Sequence, residues 1–259
     1  MEWAYTLSGL GVGFLVGLTG VGGGSLMTPL LVLLFGFAPA TAVGTDLLFA
    51  SITKTVGVWV HGRRGTVDWR ITWLLAAGSL PAAILTLMLL GEYNAKGGSI
   101  DKLVTPVLGV ALILTAVALL FKERLQRLGQ KRQVIASEAY KRRIALATIL
   151  TGAILGVLVT ISSIGAGALG VVALFFLYPH LSAVKIVGSD LAHAVPLTAV
   201  AGLGHLHMGT VNLDLLFGLL LGSLPGIYLG SHLSASIPDR VLRPVLATVL
   251  LLVAGKLVL

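Results

Sequence analysis

Nearly the whole chain is made of apolar segments long enough to cross a lipid bilayer, and this limits it to a membrane fold. A spanning helix needs about 20 predominantly apolar residues. Such segments run over roughly 5–37, 40–62, 70–91, 102–121, 144–178, 183–206, 213–233 and 240–258. Six have the length of one span. The first and fifth, about 33 and 35 residues long, are too long for one straight span. Both carry a glycine-rich interruption, Gly20-Val-Gly-Gly-Gly-Ser25 and Ser163-Ile-Gly-Ala-Gly-Ala168. Each glycine costs a helix roughly 1 kcal/mol against alanine, so each long segment is predicted to be two half-helices joined by irregular backbone. Lipid cannot satisfy the backbone groups freed at such a break, so protein or a water-lined cavity must cover them.

Composition agrees with a membrane class. Charged residues make up 11% of the 259 residues and hydrophobic ones 56%, with a mean hydropathy of +1.00. An ordinary soluble domain carries about 25% charged residues. The net charge of +8 does not point to nucleic acid, because the basic residues sit mostly in loops between apolar runs, the positive-inside pattern. With no cysteine, disulfides, thiolate catalysis and zinc–thiolate sites are excluded. Met-Glu-Trp-Ala-Tyr at the start lacks the basic region of a signal peptide, so the first apolar segment is expected to be retained.

The two halves repeat. Val43-Gly-Thr-Asp-Leu47 returns 144 positions on as Val187-Gly-Ser-Asp-Leu191, and His61 returns as His205. Gly65-Thr-Val-Asp68 returns as Gly209-Thr-Val-Asn212, and Gly78-Ser-Leu-Pro81 as Gly222-Ser-Leu-Pro225. Gly9, Gly13, Gly22 and Gly24 match Gly152, Gly156, Gly165 and Gly167 at a shift of 143; Pro106-Val-Leu108 matches Pro244-Val-Leu246 at 138. The expected organisation is a first transmembrane repeat over 1–121, a basic cytoplasmic linker over 122–143 and a second repeat over 144–259. Lys122, Arg124, Arg127, Lys131, Arg132, Lys141, Arg142 and Arg143 give the linker its charge. The fold class is therefore all-α and polytopic, with two internal repeats whose first helices are interrupted by glycine. If the long segments span, the repeats are parallel. If they are re-entrant, the repeats are inverted, which places Lys185, Arg240 and Arg243 inside with Arg63, Arg64, Arg70 and the linker. Charge counting favours the inverted arrangement. Duplication with interrupted helices at matching places is the pattern of a secondary-transporter site.

Several residues are candidates for chemistry. The half-helix N-termini after the two breaks, from about Ser25 and Ala168, present free N–H groups and positive dipole charge, which bind anions. Close helix packing is the plainer reading of glycine, and Gly9, Gly13, Gly17, Gly152 and Gly156 have the spacing of packing ridges. Asp46, Lys54, Asp190 and His193 are ionisable groups at membrane depth, functional candidates by default. Asp46 and Asp190 occupy equivalent positions; helix capping is the alternative. Lys54 has Thr198 as its repeat mate, so symmetry does not account for it. It is placed to bind an anion or to pair with Asp46 or Asp190, with snorkelling to an interface as the alternative. His193, one turn after Asp190, can share a proton pathway with it, or serve as a structural hydrogen-bonding group. His61, His205 and His207 read as interfacial, Asp68 and Asn212 as helix caps, and Trp3, Trp59, Trp69 and Trp73 as an aromatic belt. No zinc-protease, nucleophile-elbow or phosphate-loop motif is present. The pattern favours a transporter over an enzyme and suggests no cofactor and no metal.

Gly20-Val-Gly-Gly-Gly-Ser25 with Pro29, Ala42-Val-Gly-Thr-Asp46, Lys54 and Arg63-Arg-Gly-Thr-Val-Asp68 together resemble the sulfite exporter TauE/SafE family over nearly the whole chain. The second half carries a looser copy, with Ser163-Ile-Gly-Ala-Gly167 in place of the triple glycine. The resemblance implies a multi-pass carrier of the bacterial or archaeal inner membrane, moving small sulfur-containing anions such as sulfite, sulfonates or sulfoacetate. On that basis the expected substrate contacts are Thr19, Gly22, Gly23, Gly24, Ser25, Thr45, Lys54, Ser162, Ser163, Gly165, Gly167 and Ser189. Asp46, Asp190 and His193 are expected to carry a coupling proton. The partners are then the anion, the proton and membrane lipid. A passive anion channel and a membrane subunit scaffolding a sulfur-metabolising partner are the alternatives.

Overall fold

The computed structural model describes residues 2–19, 24–63, 65–130, 138–233 and, near the C-terminus, 247–248, 250–252 and 254–256. These are helical apart from short turns, with no strand among them. In order, they form α1 (Glu2–Thr19), α2 (Gly24–Leu33), α3 (Pro39–Arg63), α4 (Trp69–Ala95), α5 (Ile100–Gln130), α6 (Glu138–Ser162), α7 (Ala168–Leu177), α8 (Ala183–His207) and α9 (Leu213–Leu233). The residues near the C-terminus are also helical.

The second overlong apolar segment is divided as its glycines predict, into α6 and α7; in the first, the expected break falls at 20–23, outside the described residues, between α1 and α2. Trp69–Ala95, Ile100–Phe121, Ala139–Ser162 and Ala183–His207 are long and apolar enough to cross a membrane. The chain is a polytopic α-helical membrane protein, and its surface shows the corresponding inversion. Leu85, Met88, Leu150, Ile154 and Leu221 are exposed, whereas Thr28, Asp46, Lys54, Ser79, Thr160, Asp190 and His193 are buried. Trp3, Trp59, Trp69 and Trp73 all point outward, as an aromatic belt requires.

The halves pack by exchange. Helix α1 lies along α9 and α6 along α4, while α3 and α8 meet at the centre. The contacts repeat almost residue for residue. Gly9 and Gly13 on α1 press against the backbone of Leu219 and Ser223 on α9; Gly152 and Gly156 on α6 press against Leu75 and Ser79 on α4. In the opposite direction, Gly78 faces the backbone of Ile149, and Gly222 that of Thr6. Each pair maps onto the other at the sequence shifts of 143 and 144. The first helix of each half is thus clasped by the fourth helix of the other. Helix α5 supplies Leu108, Ala111, Leu112 and Ala116 to a core shared with Ala247, Leu250 and Ala254.

The turns repeat as well. Gly65 and Gly209 both adopt positive φ, 63° and 73°, a conformation that glycine takes without Cβ strain. Each leads to a helix start: Asp68 accepts from the N–H groups of Arg70 and Ile71 to cap α4, and Asn212 accepts from Leu215 N–H at the start of α9. The basic stretch is partly helical, since α5 continues to Gln130 and α6 begins at Glu138.

A Cβ at Gly78 overlaps the Ile149 carbonyl oxygen, whereas one at Gly11 meets nothing. Gly78→Ala is therefore expected to lower stability by about 1–3 kcal/mol through overpacking. Gly11→Ala is expected to be neutral or slightly stabilising, following helix propensity. Thermal unfolding of both variants in the same detergent checks the difference. Equal melting temperatures would show that the α4–α6 contact is not close-packed.

Candidate functional site

The break between α6 and α7 organises the centre of the molecule. Helix α6 ends where Ser163 N–H donates to Val159 C=O at 2.8 Å, and the chain then turns through positive φ at Ser163 (58°), Gly165 (132°) and Gly167 (121°). Ser163 is the only non-glycine residue with positive φ among those described, a conformation uncommon without glycine. Ser162 braces the turn: its Oγ donates to Leu158 C=O at 2.6 Å and accepts from Ile164 N–H at 3.2 Å. Helix α7 then starts with Leu169 and Gly170 N–H both on the Gly165 carbonyl, each at 3.1 Å. Among the described residues, the amides of Ala166 and Ala168 have no backbone acceptor, and the Gly167 amide faces the Asp190 carboxylate.

The ionisable groups of α3 and α8 converge on this turn. Lys54 is 5% exposed, and its ammonium donates to the Ala166 carbonyl at 3.4 Å. It does not snorkel: the stem and head are both inside. Its charge reaches Asp46, Asp190 and His193, but it forms no ion pair within 4.0 Å with any of them. Among the described residues, only Lys96 and Glu92 do so, at 3.6 Å on the surface. Asp46 accepts from the Thr28 hydroxyl of α2 at 2.5 Å, and Ser163 lies beside its carboxylate. Asp190 Oδ1 points at Gly170, where a Cβ would overlap it. His193 Nε2 is 2.8 Å from Ser79 Oγ.

The arrangement leaves buried polar atoms without partners. Five such side-chain atoms occur among the described residues, and four are Asp46 Oδ1, Ser163 Oγ, Asp190 Oδ1 and His193 Nδ1. Ser163 lies beside the Asp46 carboxylate and the Gly167 amide beside that of Asp190, so these atoms are loosely met by one another. A buried group left unpaired costs about 1–3 kcal/mol, and the clearest case at this locus is His193 Nδ1.

The structure thus brings together Lys54, Asp46, Asp190, His193, Ser163, Gly165 and Gly167, with Ser162 bracing the turn. It puts Thr45 and Ser189 to another use. Asn212 N–H donates to Thr45 Oγ at 3.1 Å, and Asp68 N–H donates to Ser189 Oγ at 2.8 Å. These two bonds are repeat equivalents, each tying the central helix of one half to the cap of the other. Gly22 and Gly23 lie outside the described residues, as do the side chains of Thr19 and Ser25; Gly24 opens α2.

One expectation needs correction, and one alternative is narrowed. Asp46 and Asp190 do not cap their own helices, since they lie inside α3 and α8, past the first turn; Asp190 instead meets the Gly167 amide at the start of α7. His205 is not interfacial. It is fully buried, with Nε2 2.9 Å from Thr160 C=O and Nδ1 2.8 Å from Thr210 Oγ, because α8 runs through the middle of the molecule and its end is still covered by α3 and α6. His207 is exposed as expected, and the side chain of His61 lies outside the described residues.

Thr28 and Ser79 escaped the sequence reading. Ser79 belonged to the repeated Gly-Ser-Leu-Pro motif, which could have directed attention to it. Thr28 is an ordinary hydroxyl in an apolar run and carried no such signal.

The fold and centre define a multi-pass membrane protein with a charged, incompletely paired interior at a broken helix. The chain belongs to the sulfite exporter TauE/SafE family, which it matches over residues 5–257. It is 40% identical over 259 residues to the probable membrane transporter protein YjnA of Bacillus subtilis, covering 100% of both chains. It is 30% identical to the probable membrane transporter protein YdhB of the same organism, covering 93% of this chain and 96% of that one. The probable membrane transporter protein MJ0441 of Methanocaldococcus jannaschii is 26% identical, with 92% and 90% covered. These relatives are named as transporters, not enzymes. No solved structure matches.

The paired clamps make a direct prediction. Thr45→Val and Ser189→Ala each remove the acceptor of a backbone N–H at a helix start, and each is expected to lower stability by about 1–2 kcal/mol. Thr45→Ser keeps the hydroxyl and is expected to retain stability. Thermal unfolding checks it, and a Thr45→Val protein as stable as the parent would remove the clamp.

Proposed function

We propose that the protein is a secondary transporter of small sulfur-containing anions, working by alternating access and coupled to protons. Its family and the names of its relatives support membrane transport. The reading of the centre rests on one observation: Lys54, a buried ammonium, is held against the broken backbone at Ala166 rather than in an ion pair. An anion at the break meets that charge and the Ala166 and Ala168 amides at the positive end of α7, with the Ser163 hydroxyl close by. Gly165 and Gly167 keep the backbone bare enough for close approach, and Ser162 holds the turn. In this reading Thr45 and Ser189 position α3 and α8 and do not touch the anion. The first-half run Thr19, Gly22, Gly23, Gly24 and Ser25 enters through its repeat relation alone.

Charge balance gives the coupling. With Asp46 and Asp190 both ionised, the trio with Lys54 carries a net −1 and repels an anion. With both protonated it carries +1, which one bound anion neutralises. A buried net charge is costly, so anion and proton are favoured together. His193 sits within reach of Lys54 and holds one ring nitrogen unpartnered, which suits it to pass a proton to or from the carboxylates. The exchanged packing of α1 on α9 and α6 on α4 supplies two bodies that can rock about the α3–α8 contact, as alternating access needs.

Labelled sulfite and a short panel of sulfonates in proteoliposomes, with and without a pH gradient, form the test. Saturable flux that increases when protons run in the same direction is expected. Lys54→Ala is expected to lower it at least tenfold, and Asp46→Asn or Asp190→Asn to abolish the response to the gradient. Flux unchanged in Lys54→Ala would sink the assignment of Lys54, and flux that fails to saturate would favour a channel.

A further inference from the structure

The described residues line a half-open cavity of about 280 Å³ that does not belong to this centre. It lies where the N-terminal ends of α4 and α6 meet the turn after α7, and Arg70, Lys141, Tyr178 and His180 line it together with the apolar Leu74 and Ile144. The Arg70 charge reaches the Tyr178 hydroxyl. That hydroxyl is 2.8 Å from Thr148 Oγ, which itself donates to Ile144 C=O. Tyr178 is thereby pinned as one wall, with His180 edge-on beside it at 6.3 Å between ring centroids. Asp68 also lines the cavity, but its Oδ1 is occupied by the two N–H groups it caps.

The internal repeat provides a control for this corner. Thr148, Tyr178 and His180 correspond to Tyr5, Phe35 and Phe37 at the shift of 143. In the first half Tyr5 packs edge-on against Phe35 at 5.2 Å and tilted against Phe37 at 5.9 Å between centroids, and all three join an apolar core. Arg70 corresponds to Asp214 at the shift of 144. One corner of a duplicated scaffold is therefore packed with aromatics and carries Asp214, while the other is hollow and carries Arg70, Lys141 and His180 beside the capping Asp68.

We infer that this second-half corner binds the phosphate headgroup of an anionic phospholipid, with an acyl chain entering beside Leu74 and Ile144. The position fits. Trp69 and Trp73 beside Arg70 on α4 are exposed and mark the membrane interface. Arg142 and Arg143 follow Lys141 on the same end of α6, and basic clusters beside a span select anionic lipids. The volume lies just under the range of pockets for drug-sized ligands, about 300–1,000 Å³, and suits a headgroup with the first part of a chain rather than a whole lipid. The mixed lining separates this ligand from a soluble anion, which has no use for the apolar half.

The test is native mass spectrometry of the full-length protein, counting retained phosphatidylglycerol against phosphatidylcholine of the same chains. Phosphatidylglycerol is expected to be retained at least tenfold better. Arg70→Ala is expected to reduce that preference about fivefold, the effect of one basic residue near a lipid surface. His180→Phe, which copies Phe37, is expected to close the cavity and remove the preference by shape alone. An unchanged melting temperature confirms that each variant is folded, and the two act by different means, so one failing to fold leaves the other as the test. Equal retention of the two lipids, or a wild-type preference in both variants, would overturn the inference. Displacement of the lipid by millimolar inorganic phosphate would overturn it in favour of a soluble-anion site, and resistance to phosphate supports it.

Discussion

A helix interrupted inside a membrane protein has to hide its own backbone, and the rest of this architecture follows from that requirement. At 163–168 the chain leaves the helical ladder, and lipid offers nothing to bond the freed groups. Protein must surround the break on all sides. Helices α3 and α8 do this, and they can approach closely because the outer pairs, α1 with α9 and α6 with α4, are held at backbone contact by glycine. The Lys54 ammonium on the Ala166 carbonyl is the most direct instance: a side chain from one half satisfies a backbone group freed in the other. Covering the break and assembling a charged centre are therefore one structural act. The same carbonyls and amides that must be covered are the ones able to address a ligand.

Much of this was legible in the sequence because it depends on residue types with strong local effects. Glycine runs inside overlong apolar segments predicted two broken helices, and the one at 163–168 is present as expected. Ionisable residues in segments otherwise empty of charge predicted a buried centre, and Asp46, Lys54, Asp190 and His193 all fall there. Repeat arithmetic aligned Gly65 with Gly209 and Asp68 with Asn212, and these pairs share backbone conformation and capping role. What the sequence did not convey depends on which face of a helix meets which neighbour. Thr45 and Ser189 read as site residues because they precede the two aspartates. One position along a helix is about 100° of rotation, enough to turn their hydroxyls to the opposite half's caps. His205 read as interfacial because it closes an apolar segment, but a segment can end while its neighbours continue past it. Thr28 could not be singled out at all, since its importance lies only in the distance to Asp46.

The reciprocal contacts also bear on how the molecule moves. In a chain built by exchange, each half is held by an arm of the other, so the halves cannot separate without breaking backbone-level contacts along α1–α9 and α6–α4. The central α3–α8 contact, by contrast, carries the charged groups, so the packing that joins the halves and the ionisable centre share the same two helices. The Thr45 and Ser189 clamps sit one residue before Asp46 and Asp190, so each carboxylate is next in sequence to the bond that ties its helix to the cap of α9 or α4.

Symmetry supplies the scaffold, and departures from it supply the chemistry. Lys54 faces the second break, but its mate is Thr198, which only donates back to Ala194 and Val195 of its own helix. His193 has Phe49 as its mate, and Ser79, which meets His193, has Ser223, which bonds Leu220 of its own helix. Tyr178 and His180 stand where the first half has Phe35 and Phe37. A perfectly duplicated centre would hold either two ammonium groups or none. Two would repel each other at short range in a medium of low dielectric, and none would leave the two equivalent carboxylates without a counter-charge. One ammonium between two carboxylates lets each proton or bound anion move the charge of the site by one unit around neutrality, and a symmetric pair of halves reaches that arrangement only by diverging at that position.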